Sequence, residues 1–354
     1  MGPRLACAVI LAAAASLAAP RARAQSVGDV ALGQLEPSQA GDPFVGVPSP
    51  FIGGHLVPRV VALVDHASEP LVVTTDDGGT GTVVGSQTLL HVGASLSVLD
   101  RLRADLSLPI ALAQGGDSPV LQGAELTSPT STALGDLRFG VRVRILGEEE
   151  DPFQLAGGVQ LHFPTGEAGV YVGEGALREA PQLLLGGRLP YFVWSAGLGA
   201  LVRASHNPSM LTYGGGAAAV LLDGVLQVGP EVFAATPLQD SYLKPGDLRS
   251  TARERLTNAE VLLSARARLP FGLIAMAGGG LGLSGAIGTP AFRIVGAVGW
   301  ELPVAADGDQ PSDTDADGIA DAEDACPYAF GPKLEDAKRS GCPAPPPSAP
   351  AGPP

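Results

Sequence analysis

Residues 136–145 alternate without a break: Leu137, Phe139, Val141, Val143 and Ile145 against Asp136, Arg138, Gly140, Arg142 and Arg144. Successive side chains of a strand point to opposite faces, so this stretch has one face suited to hydrocarbon and one suited to water. The pattern recurs. Phe153, Leu155, Gly157, Val159, Leu161 and Phe163 alternate with Gln154, Ala156, Gly158, Gln160 and His162, and Leu102, Ala104, Leu106, Leu108 and Ile110 with Arg101, Arg103, Asp105 and Ser107. Val261, Leu263, Ala265, Ala267 and Leu269 alternate with Glu260, Leu262, Ser264, Arg266 and Arg268, and Phe292, Ile294, Val298, Trp300 and Leu302 with Arg293 and Glu301.

A soluble antiparallel sandwich alternates too, so the links between strands must decide. Strands are predicted at 56–66, 87–98, 101–112, 134–146, 153–164, 181–189, 191–203, 212–222, 225–235, 258–269, 271–283 and 291–302. Each is close to the ~9–11 residues of a tilted membrane strand. Long links at 67–86, 113–133, 165–180, 204–211 and 236–257 alternate with tight ones at Leu99-Asp100, Pro190, Asp223-Gly224 and Pro270. The 147–152 link is short and 284–290 moderate. Outer-membrane barrels sort their links this way, with short periplasmic turns and long outer loops. The expected fold is therefore all-β: an antiparallel transmembrane β-barrel of about 12 strands over 56–303. Both chain ends are expected in the periplasm. Tyr191, Phe192, Trp194, Phe271 and Trp300 at the short-turn side, and Phe163, Tyr213 and Phe292 at the other, fit interfacial girdles.

The polar faces define the predicted lumen: Arg101, Arg103, Asp105, Arg138, Arg142, Arg144, Glu260, Arg266, Arg268, Arg293 and Glu301, with Asp136, Arg188 and Glu231 beside them. These arginines either line an aqueous path that favours anionic solutes or pair with the carboxylates into a polar core. The paired core is favoured, because a barrel of this size need not hold an open channel.

Residues 1–24 read as a signal peptide: Arg4 in the charged region, an apolar run from Leu5 to Ala19, and Ala22-Arg23-Ala24 before Gln25. Cys7 falls within it. Removing Arg4, Arg21 and Arg23 lowers the formal net charge from -14 to -17, a balance without the basic patch that nucleic acid requires. No later stretch approaches the ~20 apolar residues of a spanning helix. The expected partners are outer-membrane lipids and small solutes. Residues 25–55 read as a periplasmic segment ahead of the barrel.

From about Ala305 the alternation stops. Asp313, Asp315, Asp317, Asp321 and Asp324 then fall at positions 1, 3, 5, 9 and 12 of a loop with Gly318 at position 6 and the Ile319 carbonyl at position 7. Calcium takes six to eight oxygens, and this spacing delivers alternate side chains plus one carbonyl around one centre. Calcium is thus the expected cofactor. With Cys326-Pro327 directly after it, the run Asp-x-Asp-x-Asp-Gly-x-x-Asp-x-x-Asp-x-Cys-Pro resembles a thrombospondin type 3 repeat. Its continuation from Gly331-Pro332-Lys333 to Gly341-Cys342-Pro343 resembles the version that follows the barrel in outer-membrane protein A-like proteins. The resemblance implies that the five aspartates are ligands and that Cys326 pairs with Cys342, in a module spanning 304–343. Where that family continues into a peptidoglycan-binding domain, residues 344–354 read as a Pro-rich tail, so cell-wall anchoring is not carried over.

No enzyme is expected. His66-Ala67-Ser68 is the sole local candidate for a surface hydrolase and lacks an identifiable third member; Gly-x-Ser-x-Gly and His-Glu-x-x-His are absent from the sequence. The expected function is an envelope structural protein or passive pore with a periplasmic calcium repeat. The alternative is a secreted calcium-dependent adhesion protein built on a soluble β-sandwich.

Overall fold

A computed structural model describes residues 31–302 apart from 33–34, 75–77, 122–123, 130–131, 168, 206 and 240–256, together with 319, 323–326, 328–334, 336 and 339–343. Two compact units result, 1–302 and 303–354.

Twelve long strands form the first unit: β1 (Val57–Thr74), β2 (Thr80–Val98), β3 (Leu102–Gly115), β7 (Leu137–Leu146), β8 (Gln154–Phe163), β9 (Arg178–Leu189), β10 (Phe192–Arg203), β11 (Met210–Leu221), β12 (Leu226–Pro237), β13 (Asn258–Arg268), β14 (Leu273–Gly282) and β15 (Phe292–Glu301). Between β3 and β7 lie the two-residue elements β4 (Val120–Leu121), β5 (Ala124–Glu125) and β6 (Ala133–Leu134). Each long strand pairs antiparallel with the next, and β15 returns to β1 in the register Arg59↔Glu301 to Ser68↔Phe292. The ring is closed, which excludes the two packed sheets of the alternative reading. A closed sheet leaves no edge to satisfy, the condition for crossing hydrocarbon with strands.

Alternation sorts the side chains as their chemistry demands. On β15, Ile294 and Val298 are 57% and 66% exposed on the outside, while Arg293, next to Ile294, is 2% exposed. On β7, Ile145 faces out and Arg138, Arg142 and Arg144 are buried. The outer face is apolar, the chemistry that a strand needs to meet hydrocarbon. Tyr191 and Phe271 stand out at the tight-turn rim, where Trp194 Nε1 donates to the Pro152 carbonyl at 3.2 Å and Trp300 Nε1 to the Phe271 carbonyl at 3.0 Å.

The long link expected at 67–86 is instead mostly strand. β1 and β2 run 18 and 19 residues, and pair as far as Thr74↔Thr80. A register shift after Ser68, with Glu69 at φ 53°, bends the hairpin. Leu71, Val83 and Val84 then bury against Leu126 and Tyr171, folding the long-link rim inward.

The second unit is described by itself. Cys326 and Cys342 form a disulfide, their Cα atoms 5.0 Å apart. Ala325 N–H donates to the Ser340 carbonyl at 3.0 Å and Gly341 N–H to the Pro332 carbonyl at 3.2 Å, tying the two arms of the loop. Residues 1–24 and 344–354 lie outside the described residues.

Candidate functional site

The lumen holds a piece of chain that alternation could not reveal. The described part of 31–53, expected in a periplasmic segment ahead of the barrel, runs inside it from rim to rim. Leu32 N–H donates to the Tyr171 carbonyl at 3.1 Å among the inward-folded links, and Leu32 buries with Leu71, Val83 and Val84. At the other end the Ile52 and Gly53 N–H groups donate to Glu149 in the 147–153 turn, at 3.2 and 3.0 Å. The described N-terminal end thus sits at the long-link rim and Leu302 at the tight-turn rim. The chain threads the lumen before β1 begins, and the ends expected in the periplasm lie outside the described residues.

Apolar residues of this segment fill the space between the walls. Phe44, Val47 and Phe51 bury against Val193 and Ala218, while Leu35 and Val45 bury against Leu63, Leu262, Val295 and Ala297. Two glycines let it pass Arg59. Gly41 and Gly53 have φ of +100° and +74°, and a Cβ on either would collide with the Arg59 side chain. The Arg59 guanidinium donates to the Gly53 carbonyl at 2.6 Å.

Polar contacts fix the segment to opposite walls. Asp42 is fully buried: it accepts from Arg103 at 3.1 Å, from Arg142 at 3.0 and 3.2 Å, and from its own segment's Ser49 hydroxyl at 2.7 Å. Arg142 also donates to Gln39, and Arg103 to the Ala40 carbonyl. Across the lumen, the carboxylate of Glu231 on β12 accepts from the consecutive N–H groups of Val45, Gly46 and Val47 at 3.0, 2.7 and 3.2 Å, and from Ser264 at 2.8 Å. Nearer the long-link rim, Glu36 lies 3.8 Å from Arg138, 3.6 Å from His162 and 4.0 Å from Arg178.

Of the sequence-predicted lumen residues, Arg103, Asp105, Arg138, Arg142, Arg144, Glu260, Arg266 and Arg293 are buried inside the ring. Arg293 closes a wall cluster of its own, 2.8 Å from both Asp65 and Glu260. Glu301 is part-exposed at the rim, 3.2 Å from Arg59. Arg268 ends β13 and is exposed. Arg101 departs from the expectation: it sits in the 99–101 turn, exposed, 3.5 Å from exposed Glu148, because the tight turn ends before β3 begins at Leu102. Arg144, close to the same rim, meets Glu148 and Glu149 at 3.1 and 2.6 Å.

Sequence reasoning missed Glu36, Asp42 and the segment carrying them. The usable signal was an imbalance: more inward arginines than inward carboxylates to pair with them, beside a Pro- and Gly-rich stretch containing Leu35, Phe44, Val45, Val47, Phe51 and Ile52. What remains around the segment is a cavity of about 140 Å³ between it and the β8–β13 wall, plus two of about 40 Å³. In the dismissed triplet, His66 Nδ1 pairs with Thr88 Oγ1 at 2.9 Å.

In the second unit, Ile319 is buried and Asp324 Oδ1 accepts from Cys326 N–H at 2.7 Å. The other Asp324 oxygen is buried and has no hydrogen-bond partner among the described residues. Asp313, Asp315, Asp317 and Asp321 lie outside the described residues.

In architecture the chain is similar to an outer membrane channel from Pseudomonas putida F1, at 14% identity over 71% of this chain and 97% of that one, with a TM-score of 0.52. The fold is that of an outer-membrane barrel. A weaker likeness, at 8% identity over 70% of this chain and 100% of that one, is to the NanC porin, with a TM-score of 0.45. No protein-family model matches the chain, and no curated protein matches it in sequence.

Proposed function

We propose that the protein is a passive outer-membrane channel for small solutes whose resting state is closed by residues 31–53. One observation carries this reading. The lumen is occupied by a separate segment, held through hydrogen bonds and ion pairs to a charged wall, instead of by interlocking side chains of the wall itself. A barrel built only for strength has no need of a removable filling. The tight-turn rim faces the periplasm on this reading, and the outer apolar faces meet lipid. The fully buried Leu35, Val47 and Ile52 support a second reading, in which the segment never leaves and the barrel is an envelope structural protein. Swelling of liposomes carrying the full-length protein separates the two. Entry of small solutes after substitution of the segment's anchors supports the channel. Sealed liposomes around a correctly folded barrel, judged by heat-modifiable migration, support the structural role.

The second unit is proposed to be a periplasmic calcium module resembling a thrombospondin type 3 repeat. Asp313, Asp315, Asp317, Asp321 and Asp324 and the Ile319 carbonyl would hold the ion, which supplies the positive charge that their mutual repulsion calls for. The unpartnered Asp324 oxygen supports it. Calcium titration of the full-length protein, followed by calorimetry and protease resistance, is the test. Asp317→Ala should weaken binding strongly and Glu323→Ala hardly at all; equal behaviour, or no binding at millimolar calcium, defeats the assignment.

A further inference from the structure

Arg103 on β3 and Arg142 on β7 are directly opposite each other across the strand pair, both turned inward and both 1% exposed. Like charges in that position repel, so the pair is stable only with an anion between them. The walls offer little. On this arc Arg103, Arg138, Arg142 and Arg144 turn inward with Asp105 among them, and Arg144 is already held by Glu148 and Glu149 of the tight turn. Asp42 is the carboxylate that both guanidiniums grip, and it belongs to the segment. Even so, the Nε–H groups of Arg103 and Arg142 are buried without a hydrogen-bond partner among the described residues. The pair has more donors than Asp42 uses.

The far side of the lumen has the opposite character. Glu231 on β12 and Glu260 on β13 turn inward there together with Arg266 of β13, and Arg293 of β15 joins Glu260 to Asp65 of β1. The segment bridges this polarity, giving a carboxylate to the arginines and consecutive N–H groups to Glu231. A solute with the same chemistry at its two ends could take its place.

Resting on the channel reading, we propose that Arg103 and Arg142 are the anion-binding site of the open lumen, that Asp42 occupies it in the closed state, and that a carboxylate-bearing solute opens the channel by competing with Asp42. Specificity follows from geometry: two guanidiniums suit a planar carboxylate, which can accept from both. Neutral sugars and cations gain nothing at this position.

Planar-bilayer recording on the full-length protein tests it, with succinate as the probe and sucrose and choline as controls at matched osmolarity and ionic strength. Succinate should raise wild-type conductance saturably, and the controls should not. Asp42→Asn keeps the size of the side chain but removes the charge. It should raise basal conductance by about tenfold or more, since a state favoured by one paired buried charge loses that preference. The reversal potential of that variant in a salt gradient should report anion preference. Adding Arg103→Gln and Arg142→Gln to Asp42→Asn should abolish the anion preference. Heat-modifiable migration checks that each variant is folded. If Asp42→Asn with Glu36→Gln and Glu231→Gln is folded and still silent, the channel reading itself fails. If that triple variant conducts but shows no anion preference, or succinate acts no differently from sucrose, the channel stands and the anion site is overturned.

Discussion

Two buried charge clusters inside the barrel are built on different plans. Around Arg293 the wall completes itself: β15 supplies the guanidinium, β1 supplies Asp65 and β13 supplies Glu260, all from the ring of strands. Around Arg103 and Arg142 the wall is incomplete, and its counter-charge arrives on residue 42 of a segment that is not part of the ring. Both clusters satisfy the rule that a buried charge needs a partner. The difference is in what breaks when the partner is taken away. The first cluster is a structural joint of the ring, and the second joins the ring to the segment that threads it.

The largest effect should come from the first cluster. Arg293→Met leaves Asp65 and Glu260 buried without their cation, which typically costs about 3–5 kcal/mol. Urea unfolding in bilayers should register the loss as reduced stability of the whole barrel. A near-silent substitution would place the cluster among the replaceable ion pairs and erase the contrast.

A smaller but still large effect separates the two faces of β7 beside the second cluster. Val141 lies on the outer face, opposite to buried Arg142, and in a bilayer Val141→Arg should cost about 2–4 kcal/mol of barrel stability. Its neighbour in the lumen, Arg142→Gln, should cost the ring much less, because the group it abandons is on the segment. Equal losses on refolding into bilayers would contradict the register.

The smallest effects on the ring should follow changes to the segment, seen as its release and not as unfolding. Gly41→Ala puts a methyl into Arg59 at a φ that only glycine adopts readily, so proteolysis should cut near residue 41 in an otherwise intact barrel.

The wall was legible because a strand repeats every two residues and lipid punishes any error. Residues 137–145 fix a face almost by themselves, and the tight links Pro190 and Asp223-Gly224 fix the hairpins. The segment obeys no such period. Its four prolines at 37, 43, 48 and 50 prevent regular pairing, and its hydrogen bonds go to wall side chains such as Glu231 and Glu149, more than 90 residues away in sequence. Such contacts leave no local pattern. The extended β1–β2 hairpin was hidden differently, since Glu69 and Pro70 look like a link and only the packing of Leu71, Val83 and Val84 shows that pairing resumes beyond them. The disulfide pairing came from the resemblance of residues 313–343, and the structure contains that bridge.

Occlusion of the lumen by residues 31–53 is the central claim, and a tether tests it most directly. Ser97 on β2 donates to the carbonyl of Ile52, so cysteines at these two positions, Ile52→Cys and Ser97→Cys, can be joined by a short bismaleimide. Placed in the Asp42→Asn background and recorded in bilayers, the unlinked protein should conduct and the linked protein should fall silent. Conductance that is the same before and after linking would mean that the segment does not close the channel.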